Sequence, residues 1–230
     1  MMNENPLTEY FLGNKNGRLI HKWMHYFDIY HRHFEPYRNS KPTIVEFGVF
    51  HGGSLQMWKH YFGEGARICG VDINPKCKCV EEDGIEVFIG DQSDRSFLRE
   101  LAEELGEVQI IVDDGGHKAH QQIATFEEMY GTLSFPGIYL VEDLHTSYLE
   151  KYGGRLYKPG TFIEHSKWII DSLNAHYVSD EEAKIISNKC ASTESLFDSA
   201  YSMTYYDSVL VIEKRIKVSL SSIHMGKKSF

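Results

Sequence analysis

The sequence predicts an α/β fold: a mostly parallel seven-stranded sheet with helices on both faces and a C-terminal antiparallel hairpin. Three observations carry this. From Thr43 onward, β-branched runs alternate with segments of helical periodicity, the pattern of parallel strands joined by right-handed crossovers. A glycine-bearing turn, Gly48 to Ser54, follows the first run. Two further runs end in acidic clusters, Asp113-Asp114-Gly115-Gly116-His117 and Glu142-Asp143.

Residues before Thr43 differ in character. Ile20–His31 is dense in aromatic and histidine side chains at helical spacing. It reads as one or two helices, packed over the site or acting as a dimer-forming or core-covering element. Thr43–Gly48 is a buried strand entering the glycine turn, and a helix follows near Ser54–Tyr61. Arg67–Asp72 and Ile85–Ile89 are the second and third strands. Ser93 is placed to cap the next helix, whose Phe97, Leu98, Leu101 and Leu105 share one face until Gly106 stops it. Val108–Val112 is the fourth strand. His120–Leu133 is a helix with Ile123, Phe126, Tyr130 and Leu133 at helical spacing, and Pro136-Gly137 breaks into a fifth strand ending at Val141. Tyr152–Gly160 is a loop long enough for a lid. Tyr201–Tyr205 and Ser208–Lys214 form the hairpin, turned at Asp207.

The 230 residues hold 24 Lys plus Arg against 33 Asp plus Glu, a formal charge of −9. That balance argues against a general nucleic-acid or anionic-membrane surface. The longest apolar runs are strand-length, too short to span a bilayer. Cys77-Lys78-Cys79 has the wrong spacing for a zinc knuckle. With Cys69 and Cys190 it is not expected to form a structural disulfide, because no signal peptide is recognisable. A reduced, cytoplasmic location is expected.

The glycine turn and an acidic residue, Asp72, roughly 20 positions further on have the spacing at which a carboxylate meets ribose hydroxyls. Phe50 stands where a dinucleotide site has its middle glycine, and Glu46 precedes the turn. A carboxylate there suits an ammonium group rather than phosphates, which favours S-adenosylmethionine, a phosphate-free sulfonium. Gly48, Gly52, Gly53 and Ser54 are then expected along the cofactor, with Asp91 and Gln92 at its adenine edge. Asp91 also reads as a turn or helix-capping residue. If the strands ending at Val112 and Val141 are neighbours, their tips lie roughly 5 Å apart. Three or four carboxylates and an imidazole then crowd one small volume and demand a cation, for which a hard divalent metal is the candidate.

Glu46-Phe47-Gly48-Val49 with Gly52-Gly53-Ser54, Gly90-Asp91-Gln92, the Asp113–His117 cluster and Glu142–Tyr148 together resemble the metal-dependent class I O-methyltransferases of the macrocin and mycinamicin type. Those are Rossmann-like enzymes that methylate sugar hydroxyls of antibiotics with S-adenosylmethionine. The resemblance covers about Thr43–Tyr148, and the pairing of the two acidic clusters is its specific part. It implies Mg2+ or a similar ion on Asp114, Glu142 and Asp143, with His117 as general base. Asp113 is expected to stay inside, bonded to backbone or cofactor. Asp114 also reads as a helix cap, and His117 as a capping or packing residue. His145 and Tyr148, after the fifth strand, would face the acceptor or be structural.

Residues 1–42 are then a helical extension or lid, and 43–230 the catalytic domain. The implied reaction is O-methylation of a sugar or polyketide-like small molecule, by a chain expected to be a homo-oligomer. The same motifs also resemble the cephalosporin hydroxylase group. A cofactor-binding protein without turnover is the third reading.

Overall fold

The structure, a computed structural model, describes residues 5–189, 196–217 and 221–229. One sheet lies at its centre. Its strands are β1 (Thr43–Phe47), β2 (Arg67–Asp72), β3 (Ile85–Ile89), β4 (Val108–Asp113), β5 (Leu133–Val141), β6 (Ala200–Tyr206) and β7 (Val209–Lys214). They are ordered β3-β2-β1-β4-β5-β7-β6. The first five run parallel, and β7 pairs antiparallel with both β5 and β6. This is the mostly parallel sheet and C-terminal hairpin that the alternating pattern predicts. Because β1 sits between β2 and β4, the crossovers diverge on either side of it and leave a crevice at the strands' carboxyl ends.

The helices are α1 (Pro6–Gly13), α2 (Tyr26–Phe34), α3 (Gly53–Phe62), α4 (Arg95–Leu105), α5 (Ala119–Met129), α6 (Phe162–Leu173), α7 (Asp180–Lys189) and the short α8 (Leu196–Ser199). Side-chain alternation sends the two faces of each inner strand to different cores. Ile44, Ile110, Val112, Ile138 and Leu140 pack with α1, α2 and α3. Val45, Phe47, Ile111, Tyr139 and Val141 pack with α4, α5 and α6.

The N-terminal segment therefore builds one of the two cores. Phe27, Tyr30 and Phe34 are fully buried, and the Tyr30 ring meets Trp58 edge-on at 5.1 Å. Helix α2 begins at Tyr26, not at Ile20 as the aromatic periodicity suggests. The preceding residues instead form an irregular strap laid across the start of α3. Gly53 permits this approach: a Cβ there would stand 2.5 Å from the carbonyl oxygens of Arg18 and Leu19. Asn14 donates to the Arg18 carbonyl at 2.7 Å, and Arg18 donates to that of Val80 at 2.8 Å.

Three other expectations are corrected. Asp94 rather than Ser93 caps α4, its carboxylate accepting from the Ser96 and Phe97 N–H groups, while Ser93 is held in a turn by Asp91. The helix expected to run to Leu133 ends at Met129. β5 starts at Leu133 instead of Gly137, because Leu133 pairs with Val108 across a register shift that accommodates Pro136. Helices α6 to α8 occupy a stretch for which the sequence pattern sets no element.

Cys69, Cys77 and Cys79 are free thiols, and Cys190 lies outside the described residues. Among the described residues no helix is long and apolar enough to cross a membrane. Since α2 is core, Phe27→Ala should lower unfolding stability in urea by about 3–5 kcal/mol. A loss below about 1 kcal/mol would show that α2 is only an appendage.

Candidate active site

Phe47, Asp113 and Val141 share one register across β1, β4 and β5. The turns that follow them therefore emerge together at the carboxyl end of the sheet. Gly48, at φ +97°, makes this close approach possible, since a Cβ there would sit 2.1 Å from the Asp114 carbonyl oxygen. A cleft of ≈ 390 Å³ opens beside these turns. Of the residues the sequence singles out, Gly48, Asp72, Asp91, Gln92, Asp114, His117, Glu142 and Asp143 line it.

Three carboxylates converge on a single ammonium. Lys22 Nζ lies 3.2 Å from Glu46, 2.5 Å from Asp114 and 2.9 Å from Glu142, and the lysine side chain is only 3% exposed. Tyr30 donates its hydroxyl to Glu142 at 2.6 Å, Tyr26 to Asp143 at 2.7 Å, and Ser54 to Glu46 at 2.6 Å. Asp143, in the left-handed region at φ 55°, also faces His117, with Oδ2 3.6 Å from Nε2. Asp114, His117 and Asp143 each offer one ligand atom, and these atoms lie within 4.8 Å of one another.

Charge at this site is unbalanced. Burial opposes the charge on Lys22, but Asp114, Glu142, Tyr30 and Glu46 outweigh it and hold the ammonium well above its usual range. Burial and then Asp114 push Glu142 well above the carboxylate range, against the pull of Lys22. Burial likewise raises Glu46, and it pushes Asp113 up to about 6. Four carboxylates, Glu46, Asp114, Glu142 and Asp143, gather here around the Lys22 ammonium. A second, oxygen-seeking cation fits the donor set, and Asp114 and Asp143 converge where it would sit.

Other expected residues also make contacts within the protein. Gln92 donates to Asp113 at 3.0 Å and accepts from the Gly116 N–H at 2.7 Å, which fixes the loop carrying Asp114 and His117. Asp72 accepts from the Val49 N–H at 2.9 Å and the Asn74 N–H at 2.8 Å, fastening the glycine turn to β2. Asp91 accepts the Ser93 N–H and hydroxyl at 2.8 Å each. Glu46, Ser54 and Asp113 are buried and do not line the cleft. Gly52 faces Val80, and Gly53 faces the strap. His145 bonds Ser208 at 2.7 Å, Tyr148 is exposed, and neither lines the cleft.

Sequence reasoning passes over Lys22, Tyr26 and Tyr30. Their spacing of four was the available signal, masked by the histidines among them. Glu46, expected to meet an ammonium group, meets the chain's own.

No protein-family profile matches the chain. Demethylmacrocin O-methyltransferase of Streptomyces fradiae is 35% identical over 192 residues, which is 78% of this chain and 47% of that protein. The 8-demethyl-8-alpha-L-rhamnosyl tetracenomycin-C 2'-O-methyltransferase of Streptomyces olivaceus is 39% identical over 132 residues, 54% of this chain and 34% of the other. Among solved structures, the MycE methyltransferase from the mycinamycin biosynthetic pathway, in complex with Mg, SAH and mycinamycin VI, superposes with a TM-score of 0.78. It is 27% identical, and the match covers 93% of this chain and 54% of that one. The chain thus spans about half or less of the length of these curated relatives. In sequence and fold it is similar to the class I O-methyltransferases of the macrocin and mycinamicin type.

The contact at Gly48 is testable. Gly48→Ala combines left-handed backbone strain with the carbonyl clash, and it should cost about 2 kcal/mol or more in chemical unfolding. A change within about 0.5 kcal/mol would show that the two turns are not locked together.

Proposed function

We propose that the chain transfers the methyl group of S-adenosylmethionine to a hydroxyl of a sugar or polyketide-like small molecule, with Mg2+ as the metal. The carrying observation is the under-neutralised carboxylate cluster beside an imidazole in a cleft at the sheet's switch point. The Mg and SAH in the MycE complex support the same pair of cofactors. In this reading 43–230 is the catalytic domain, and 1–42 is a helical extension that also furnishes part of the site. A homo-oligomer in the cytoplasm belongs to the same proposal.

Asp114, Glu142 and Asp143 would hold the metal. When bound, it would acidify an alcohol, which is otherwise a weak nucleophile at neutral pH. Asp72 would take the ribose hydroxyls, and Asp91 and Gln92 the adenine edge. Glu46, Gly52, Gly53, Ser54 and Asp113 shape the turns from behind. His117 receives the hydroxyl proton at Nε2, the ring nitrogen facing Asp143. The Asp143 carboxylate then stabilises the imidazolium. As the oxygen attacks, the methyl carbon leaves the sulfonium, and cationic donor becomes neutral thioether. His145 and Tyr148 stand outside the cleft on the loop after β5, where they would flank a bulky acceptor.

His117→Ala should bind S-adenosylmethionine like wild type in calorimetry yet turn over about 100-fold or more slowly, as loss of a general base implies. Near-normal turnover would remove the base assignment. In Asp114→Ala, S-adenosylhomocysteine release across a panel of glycosylated acceptors should no longer respond to Mg2+ or chelator. An unchanged metal response would contradict the ligand assignment. Wild-type binding of the methyl donor with no product from any acceptor would favour a non-catalytic binding protein.

A further inference from the structure

We propose that Lys22 is a built-in competitor for the metal: a fixed ammonium that balances the carboxylate cluster in the metal-free protein and weakens its grip on divalent cations. This rests on the metal-dependent reading above. Lys22 engages two of the three carboxylates proposed to hold the metal. Its Nζ reaches Asp114 Oδ2 at 2.5 Å and both oxygens of Glu142, at 2.9 and 3.1 Å. Tyr30 occupies Glu142 Oε1 as well. A divalent cation approaching Asp114 and Glu142 therefore meets a unit positive charge in bonding contact with its intended ligands, where charge repulsion is least screened.

Lys22 is also fastened in place. The strap that carries it is pinned at Gly53, at the Asn14–Arg18 contact and by the Arg18–Glu82 ion pair at 3.2 Å. Ile20, two residues earlier, is buried in the core. Glu46 also bonds Nζ, but it lines no part of the cleft and keeps its second oxygen on Ser54. Lys22 acts on the metal through the carboxylates it bonds and is therefore a positioning residue.

The test is a cycle of four proteins: wild type, Lys22→Met, Glu46→Gln and the double variant. Each is titrated with Mg2+ alone by calorimetry, and its thermal unfolding is followed with and without Mg2+. The double variant guards against misfolding of Lys22→Met, because it removes one acid together with the base. Loss of Lys22 should tighten Mg2+ binding about tenfold or more in both backgrounds. Without metal, Lys22→Met should melt lower than wild type, and added Mg2+ should raise its midpoint more. Equal or weaker Mg2+ binding on loss of Lys22 would overturn this inference alone. Absence of Mg2+ binding in all four proteins would overturn the metal reading and this inference with it.

Discussion

Carboxylates buried at the tips of neighbouring parallel strands stay ionised only if positive charge or hydrogen-bond donors meet them, and most of this site follows from that requirement. The register that aligns Phe47, Asp113 and Val141 brings Asp114 and Glu142 together beside Glu46 of β1. An ammonium about 3 Å from a carboxylate gains about 5 kcal/mol per contact at an effective dielectric of 20, before desolvation is subtracted. Lys22 supplies such contacts to three acids at once. Glu46, Asp114 and Glu142 share that one ammonium while Asp143 has only the Tyr26 hydroxyl and nearby imidazoles, so a sulfonium donor and a divalent ion are chemically suited to the same cleft.

The N-terminal segment links fold and site. One set of α2 side chains, Phe27 and Phe34, is buried with Trp58 beneath the sheet face. Tyr26 and Tyr30 reach the acids, giving Asp143 and Glu142 a hydroxyl each. The strap before α2 delivers Lys22. Buried carboxylates with specific donors are held in one geometry, which positioning of an acceptor oxygen against a methyl donor requires.

The sheet was largely legible in the sequence because β-runs and helical spacing are local signals. The meeting of Asp114 with Glu142 followed from strand adjacency alone. What escaped was set by tertiary contact. Ile20 to Trp23 has helical periodicity but forms a strap, because Gly53 and Arg18 tie it across α3. Asp94 and Ser93 both carry capping oxygens, and only the path of the turn selects Asp94. Gly52 and Gly53 read as cofactor-facing glycines in the sequence, and only the fold shows that they also face Val80 and the strap. Lys22 lies 92 residues from Asp114 and 120 from Glu142, so no local pattern joins them.

The most direct measurement is a crystal of this chain soaked with Mn2+ and S-adenosylmethionine, with anomalous scattering used to find the ion. One peak is expected in bonding contact with Asp114, Glu142 and Asp143 beside His117, and the adenosyl group between Asp72 and Asp91. An ion bound elsewhere, or a cleft that takes the nucleoside while its carboxylates stay bonded only to Lys22, would contradict that expectation.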